Sequence, residues 1–560
     1  MQAGSGIAGT GGQRLGSVAA LGAVYGGFVL LVALLQDHYW EQYWTQSYAL
    51  GRSALLHGVG LALSVATALA AERLSGAVAP APAPATAARA PRRRMAAVAV
   101  LLSVALALPL VISVLVLDRF PNSGDEFAFV HQAEGFAEGR LWHEAPPLGA
   151  TFVALRTWVY GDRLVSQYPP GWPLLMAAAG RLSLPAWTVN PLIGAASAMA
   201  LAGLLWRWTT PRLAIPAVAA YALTAFYVFN AASYFSHVLT ALLVLGFVAA
   251  GQSYVTGGGR VAALAIGACL GGIGLTRTYD ALVLLLLFGA ALLWQRRRLA
   301  LHDLLIALGG LPFLLALLAY QDLVMGSPFV STYAADIESP QFRFRLTSGA
   351  VLQTFAQLEE LVAWTSPLLV AAYAAALLVK LRARALAFYD LIPPLFVVAY
   401  FVQGWDGGNR YGPRYYFDVY PVLFVTIATA GPLLRQRLAA RVRTLGTHLV
   451  AASVLYAATV LPFPAALFHT IVQERQDPYR QAERAGLANA VVVVASSAGA
   501  VSDMQPYDLA RNRPDLADSV LFANGLVADI DAIRRTFPNR AIWLYEREPD
   551  ATEGRLRPAP

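Results

Sequence analysis

Residues 95–127 read MAAVAVLLSVALALPLVISVLVLDRFPNSGDEF, an apolar run through Leu117 followed by a polar stretch that carries the adjacent acids Asp125 and Glu126. A membrane-crossing helix needs roughly 20 consecutive apolar residues, and 95–117 supplies them. Nothing about insertion calls for two consecutive carboxylates where a span meets water, because acids there cost free energy unless paired or used. The stretch therefore predicts a bilayer-spanning helix and, at its outer end, a candidate active centre.

Working outward, comparable runs lie near 16–35, 47–70, 188–206, 213–230, 235–254, 260–276, 279–295, 301–320, 363–380, 387–403, 417–433 and 445–462. Together they predict an all-α polytopic membrane protein with about thirteen transmembrane helices. Over the whole chain, 57% of the 560 residues are hydrophobic and 13% charged, which excludes an ordinary soluble domain. The net charge of +8 comes from arginines clustered at span ends, the pattern of cytoplasmic anchoring and not of a nucleic-acid surface. Lys380 is the only lysine, and the arginine, alanine, glycine and proline bias suggests a GC-rich bacterial genome. The single Cys269 excludes a disulfide framework and a cysteine metal site. No small-x-small cleavage site follows 16–35, and Gln36-Asp37-His38-Tyr39-Trp40 has the character of an interfacial belt, so this run is read as a retained first span.

Arginine-rich connections at 296–298, 381–383 and 435–443 belong at the cytoplasmic face. Threading through them puts the N-terminus in the cytoplasm and residues 118–167, 322–362, 404–416 and everything after 463 outside. That is the periplasmic side of a bacterial inner membrane. Arg277 and Asp280 fall at the same outer face. The run 169–184 is apolar but contains Pro169, Pro170, Gly171, Pro173 and Arg181. It is read as a short or re-entrant helix, tolerable where protein covers it; the other solution is that one segment between 213 and 254 does not cross. The resulting organisation is two additional N-terminal helices (1–75), an Ala/Pro-rich cytoplasmic linker (76–94), a transmembrane body (95–462) and a small external α/β domain (463–560). That last domain follows from strand candidates at 490–495, 519–523 and 541–545 around an amphipathic helix at 529–536. Phe127, Phe129, Val130, Ala133 and Phe136 carry helical spacing on a segment that could lie along the membrane surface.

The acid pair has two readings. Asp125 and Glu126 are too close together to flank a scissile bond as a glycosidase pair does, but one could be a general base taking a proton from an attacking hydroxyl. The other reading is a helix start, with Ser123 as cap and both acids in the first turn. His131 and Gln132 follow on the same segment and could line a site. Gln167-Tyr168-Pro169-Pro170-Gly171-Trp172-Pro173 starts a helix whose free end suits an anion, or is simply a rigid re-entry. In Thr276-Arg277-Thr278-Tyr279-Asp280 the two charges are expected to pair, with phosphate contact by Arg277 as the alternative. Arg410 and Arg414, among the glycines of 404–416 and beside Tyr411 and Tyr415, offer planar forks suited to phosphate in a loop where positive charge is usually depleted. Arg163, and the pair Arg343 and Arg345, are of the same kind. No metal motif and no glycine-rich nucleotide loop is present, although Asp125 with Glu126 could hold a divalent cation that bridges a phosphate.

In their order, Ser123-Gly124-Asp125-Glu126, Gly139-Arg140-Leu141-Trp142, Tyr168-Pro169-Pro170-Gly171-Trp172-Pro173, Thr276-Arg277-Thr278-Tyr279-Asp280, Tyr320 with Gly326-Ser327-Pro328, and Tyr411-Gly412-Pro413-Arg414-Tyr415 resemble the GT-C class of integral-membrane glycosyltransferases. The resemblance is to the branch that includes the protein O-mannosyltransferases and the aminoarabinose transferases of lipid A. The resemblance covers residues 95–430. It implies transfer of a sugar from a polyprenyl-phosphate donor to a glycan, lipid or protein acceptor at the outer membrane face, with inversion. Under it Asp125 maps to the base, with Glu126 supporting it or the acceptor; beside it, Tyr168, Asp280, His131, Gln132, Tyr411 and Tyr415 are the candidate residues of the substrate cavity. The aminoarabinose branch has a phosphate-binding lysine where this chain has Tyr168, so Arg163, Arg277, Arg410 or Arg414 must meet the donor phosphate. The rival expectation is a flippase, or a non-catalytic binding subunit, for lipid-linked sugars. A flippase calls for charges near the bilayer midplane and discontinuous helices, which the sequence does not display.

Overall fold

The computed structural model describes residues 8–42, 50–75, 90–296, 301–335, 347–403, 410–437, 440–497, 505–549 and 551–560. The Ala/Pro tract, Arg343, Arg345 and the glycines of 404–409 lie outside these residues.

Among the described residues, nine helices are long and apolar enough to cross a membrane, and up to eleven spans result if each of two bent pairs counts as one. The chain is a multi-pass membrane protein. Every expected apolar segment falls on helix, but Arg260–Thr276 and Phe388–Gln403 are shorter apolar helices. The bends were not expected. Leu213–Ala222 and Ala225–Ala232 meet at 58°, where the Thr224 hydroxyl accepts from the Tyr227 amide and so starts a new helix. Ser348–Trp364 and Pro367–Arg382 meet at 112°, because Ser366 caps the second helix and Pro367 supplies no amide to continue the first. The segment Gly171–Arg181 has 11 residues, about 16 Å of helix, too short to cross.

The chain divides into two compact units. The first comprises Met1–Leu108, Ala195–Phe229 and Leu346–Pro464. Polar contacts fasten its two N-terminal helices: Gln36 donates to Tyr456 at 2.6 Å, Tyr25 meets His448 at 2.7 Å and His57 meets Glu359 at 2.5 Å. Lys380 is buried against Asp390 at 2.6 Å, a pairing that offsets the cost of taking either charge out of water.

The second unit comprises Pro109–Gly194, Asn230–Arg345 and Ala465–Pro560. Within it, helices Arg260–Thr276 and Leu304–Met325 touch backbone to backbone. A Cβ on Gly267 would sit 1.9 Å from the Ile306 carbonyl oxygen, and one on Gly309 would sit 2.2 Å from that of Leu264. Small residues allow this approach, and dispersion across it replaces the hydrophobic drive that lipid does not supply.

The C-terminal sheet runs in the order 520–524, 490–494, 541–546, 555–558, the first three strands parallel and the last antiparallel. The central strand, Ala490–Val494, is buried on both faces, which explains its unbroken valines. Val491, Val493, Leu521 and Ile533 pack on one face, and Val492, Val494, Phe522 and Tyr545 on the other. Phe152, far upstream, inserts into the first of these clusters. A second sheet, not expected, joins His143–Glu144, Arg163–Ser166 and Thr157–Tyr160 in antiparallel order.

Candidate functional site

The acid pair opens helix Gly124–Ala137, as the capping reading requires. Ser123 is the N-cap, with an extended backbone, and its hydroxyl accepts from the Glu126 amide at 3.2 Å. The same hydroxyl donates to the Glu126 carboxylate at 3.1 Å, and that carboxylate accepts from the Tyr234 amide at 3.0 Å. Glu126 is fully buried. Its carboxylate therefore ties the helix start to the 233–236 turn.

Asp125 faces elsewhere. Its carboxylate accepts from the Tyr168 hydroxyl and lies 3.2 Å from Arg156 Nε, and its side chain keeps 15% of its surface exposed. Burial and the negative charge of Asp125 hold the Tyr168 phenol well above its usual pKa, so it remains a donor at neutral pH. Tyr168 is held in turn by Phe129, at 4.3 Å between ring centroids, and by Tyr333 at 5.9 Å. Because the two acids serve different partners and an arginine abuts Asp125, they do not form a shared cation cradle. Among the described residues no group of three His, Cys, Asp or Glu side chains could hold a metal.

Several motifs set apart in the sequence converge here. Trp172 Nε1 donates to the Tyr234 carbonyl at 2.7 Å, so the Tyr234 peptide is gripped by the acid motif on one side and the proline motif on the other. Gly171 abuts the end of Arg260–Thr276, where an added Cβ would stand 2.7 Å from the Leu275 carbonyl oxygen. Gln132 donates to Tyr320 at 2.8 Å and to the Tyr168 carbonyl at 3.2 Å.

Three of the predicted phosphate arginines, Arg163, Arg277 and Arg414, are engaged by neighbouring groups. Arg163 donates to the Leu323 and Val324 carbonyls at 2.7 and 3.0 Å and lies over Trp142. Arg277 pairs with the fully buried Asp280 at 2.6 Å. Arg410 and Arg414 belong to the first unit, where Arg414 is buried and lies over Tyr415, itself stacked on Tyr400. Tyr411 is fully buried and stacked on Phe229, so it offers no open face, whereas His131, buried beside His143, edges a small cavity shared with Phe127, Phe152 and Arg513.

Arg156 was missed. It carries φ +71°, a left-handed backbone that turns its side chain into the site at the cost of local strain. Arg156 lies within 118–167, a stretch expected to be outward and so depleted of positive charge, and the signal that marks Arg410 and Arg414 therefore falls on it as well.

Burial, with the charge of His143 second, pushes the His131 imidazole down to about 3 from 6.5. It is therefore neutral at pH 7. As pH falls below 6.5 the unfolded chain takes up the proton and the folded chain does not, so stability is complete above that value and is lost progressively toward about 3. At pH 5 the loss is about 2 kcal/mol. His131→Phe should flatten the dependence of thermal midpoint on pH across this interval; an unchanged slope would contradict the assignment.

No protein-family model matches the chain, and no curated protein matches it. Among solved structures it is similar to ArnT from Cupriavidus metallidurans bound to undecaprenyl phosphate, at 15% identity over 81% of this chain and 97% of that one, with a TM-score of 0.48. The apo form of the same protein gives 16% identity, 75% and 88% coverage and a TM-score of 0.47. The oligosaccharyltransferase of Archaeoglobus fulgidus gives 13% identity, 80% and 69% coverage and a TM-score of 0.43.

Proposed function

We propose that this chain is a GT-C-type glycosyltransferase that moves a sugar from a polyprenyl-phosphate carrier to an acceptor at the outer face of a bacterial cytoplasmic membrane, with inversion. The observation that carries the reading is the pairing of a partly exposed Asp125 with Arg156 and Tyr168 at the end of a membrane helix, inside a motif that resembles that class. In this reading residues 95–462 are the catalytic membrane body and 463–560 an external domain over the acid loop.

In the proposed step the Asp125 carboxylate takes the proton of an acceptor hydroxyl. The freed oxygen attacks the anomeric carbon, and the bond from that carbon to the phosphate oxygen breaks, releasing the polyprenyl phosphate. Charge gathering on the departing phosphate is met by guanidinium groups, electrostatics being commonly the largest contribution to such rates. Arg163 and Arg277, in the same unit as Asp125, are the proposed contacts; Arg410 and Arg414 are candidate anion ligands of the first unit. Glu126 supports the base through the cap.

The test supplies the full chain in nanodiscs with a polyprenyl phosphate bearing a labelled sugar and a pool of glycan, lipid and peptide acceptors. Expected are labelled acceptor and an equal quantity of free polyprenyl phosphate, with no label transferred from a nucleotide sugar. The two bent helix pairs favour a second reading, a lipid-linked-sugar flippase. In vesicles that reading moves label across the membrane and releases no polyprenyl phosphate.

A further inference from the structure

The C-terminal domain grips the acid loop at points where the backbone is strained. Asp118, Arg119 and Arg156 all have left-handed φ values, +51°, +55° and +71°. Arg480 pairs with Asp118 at 2.9 Å, and the Tyr507 carbonyl accepts from the amide of Leu155, next to Arg156, at 3.2 Å. Between them stands Arg511, which donates to the Pro121 carbonyl at 2.5 Å and, within its own domain, to the Asp508 carbonyl at 2.7 Å. Its guanidinium lies 4.8 Å from the ring centre of Phe120 and 5.2 Å from that of Phe127. Those two rings bracket Ser123 and the acid pair.

Leu155 completes the circuit. It packs on Gly124 so closely that an added Cβ there would meet it at 2.7 Å. Main chain on both sides of the Asp125–Arg156 pair is thus fastened to one short segment, 505–511. A planar fork held between two rings fixes direction as well as distance, which a flexible ammonium does less well.

We propose that Arg511 is a positioning residue: it sets the start of helix Gly124–Ala137 so that Asp125 meets Arg156 and Tyr168, and through that register it sets the rate of transfer. The rate arm rests on the glycosyltransferase reading; the structural arm does not.

The experiment compares the full-length wild type with Arg511→Met, which keeps an apolar stem between the rings, and Arg511→Lys, which keeps the charge. A displacement near 1 Å can cost about 10²-fold, so Arg511→Met should lower kcat about tenfold to hundredfold. KM for the polyprenyl-phosphate donor should stay within about twofold, and Arg511→Lys should recover part of the loss. Hydrogen exchange of amides 120–130 should accelerate about tenfold in Arg511→Met, while strands 490–494 and 541–546 keep their protection. Normal kcat with unchanged exchange at 120–130 overturns the proposal, as does exchange that rises equally through the C-terminal sheet. If the wild type transfers no sugar, the glycosyltransferase reading fails and the exchange comparison alone decides whether Arg511 positions the loop.

Discussion

Asp125→Asn is expected to lower transfer from a polyprenyl-phosphate donor by about 10²–10⁴-fold, the usual contribution of a general base, while the protein stays folded. The variant is nearly isosteric. Its amide oxygen still accepts from Tyr168, so the aromatic packing of Tyr168 against Phe129 and Tyr333 survives. What is lost is the carboxylate charge facing Arg156 and the capacity to take a proton. Because Asp125 does not share the Ser123 and Tyr234 contacts of its neighbour, the thermal midpoint should move little. Turnover within a few-fold of wild type, measured as label transferred in nanodiscs, would remove Asp125 from the mechanism. A proportional loss of folded protein would instead place it with the structural residues.

Most of the membrane body was legible because a bilayer imposes one length and one polarity on a crossing helix, although two of the thirteen expected spans, 260–276 and 387–403, fall on shorter apolar helices. What hydropathy does not encode is the angle between successive helices. The breaks at Thr224 and at Ser366-Pro367 are made by one capping hydroxyl and one missing amide inside otherwise apolar runs. The small three-stranded sheet did leave a trace: Trp158-Val159-Tyr160 and Arg163-Leu164-Val165 flank Gly161-Asp162, a hairpin pattern that a search for helical spans passes over.

At the site, Asp125 could be picked out because an acid at a membrane edge is costly, and Ser123 because a serine followed by two acids in the next turn fits a helix start. Arg156 carries the charge-depletion signal of Arg410 and Arg414, but its role is not written in the sequence, since that role arises from a left-handed turn and from Leu155 docking on Gly124, contacts between segments remote in sequence. Spacing also could not divide the two acids. The Tyr234 amide, 108 residues beyond Glu126, ties that carboxylate to the scaffold, while Asp125 meets Tyr168 and Arg156.

That division makes opposite demands on Glu126. Its carboxylate has no exposed surface, accepts from the Tyr234 amide at 3.0 Å and from Ser123 Oγ at 3.1 Å, and belongs to the residue whose own amide Ser123 caps. Glu126→Ala removes an acceptor from two buried donors and leaves a void at the helix start, together about 2–4 kcal/mol. Glu126→Gln keeps an oxygen for the Tyr234 amide but brings an amide NH2 against Ser123 Oγ, whose hydroxyl must then turn to accept; about 1 kcal/mol is expected. The thermal midpoint in detergent should therefore fall in the order wild type, Gln, Ala, with activity following the folded fraction in both variants. Should Glu126→Gln melt like the wild type yet transfer no sugar, proton abstraction belongs to Glu126, and the ion pair of Asp125 with Arg156 becomes the scaffold that presents it.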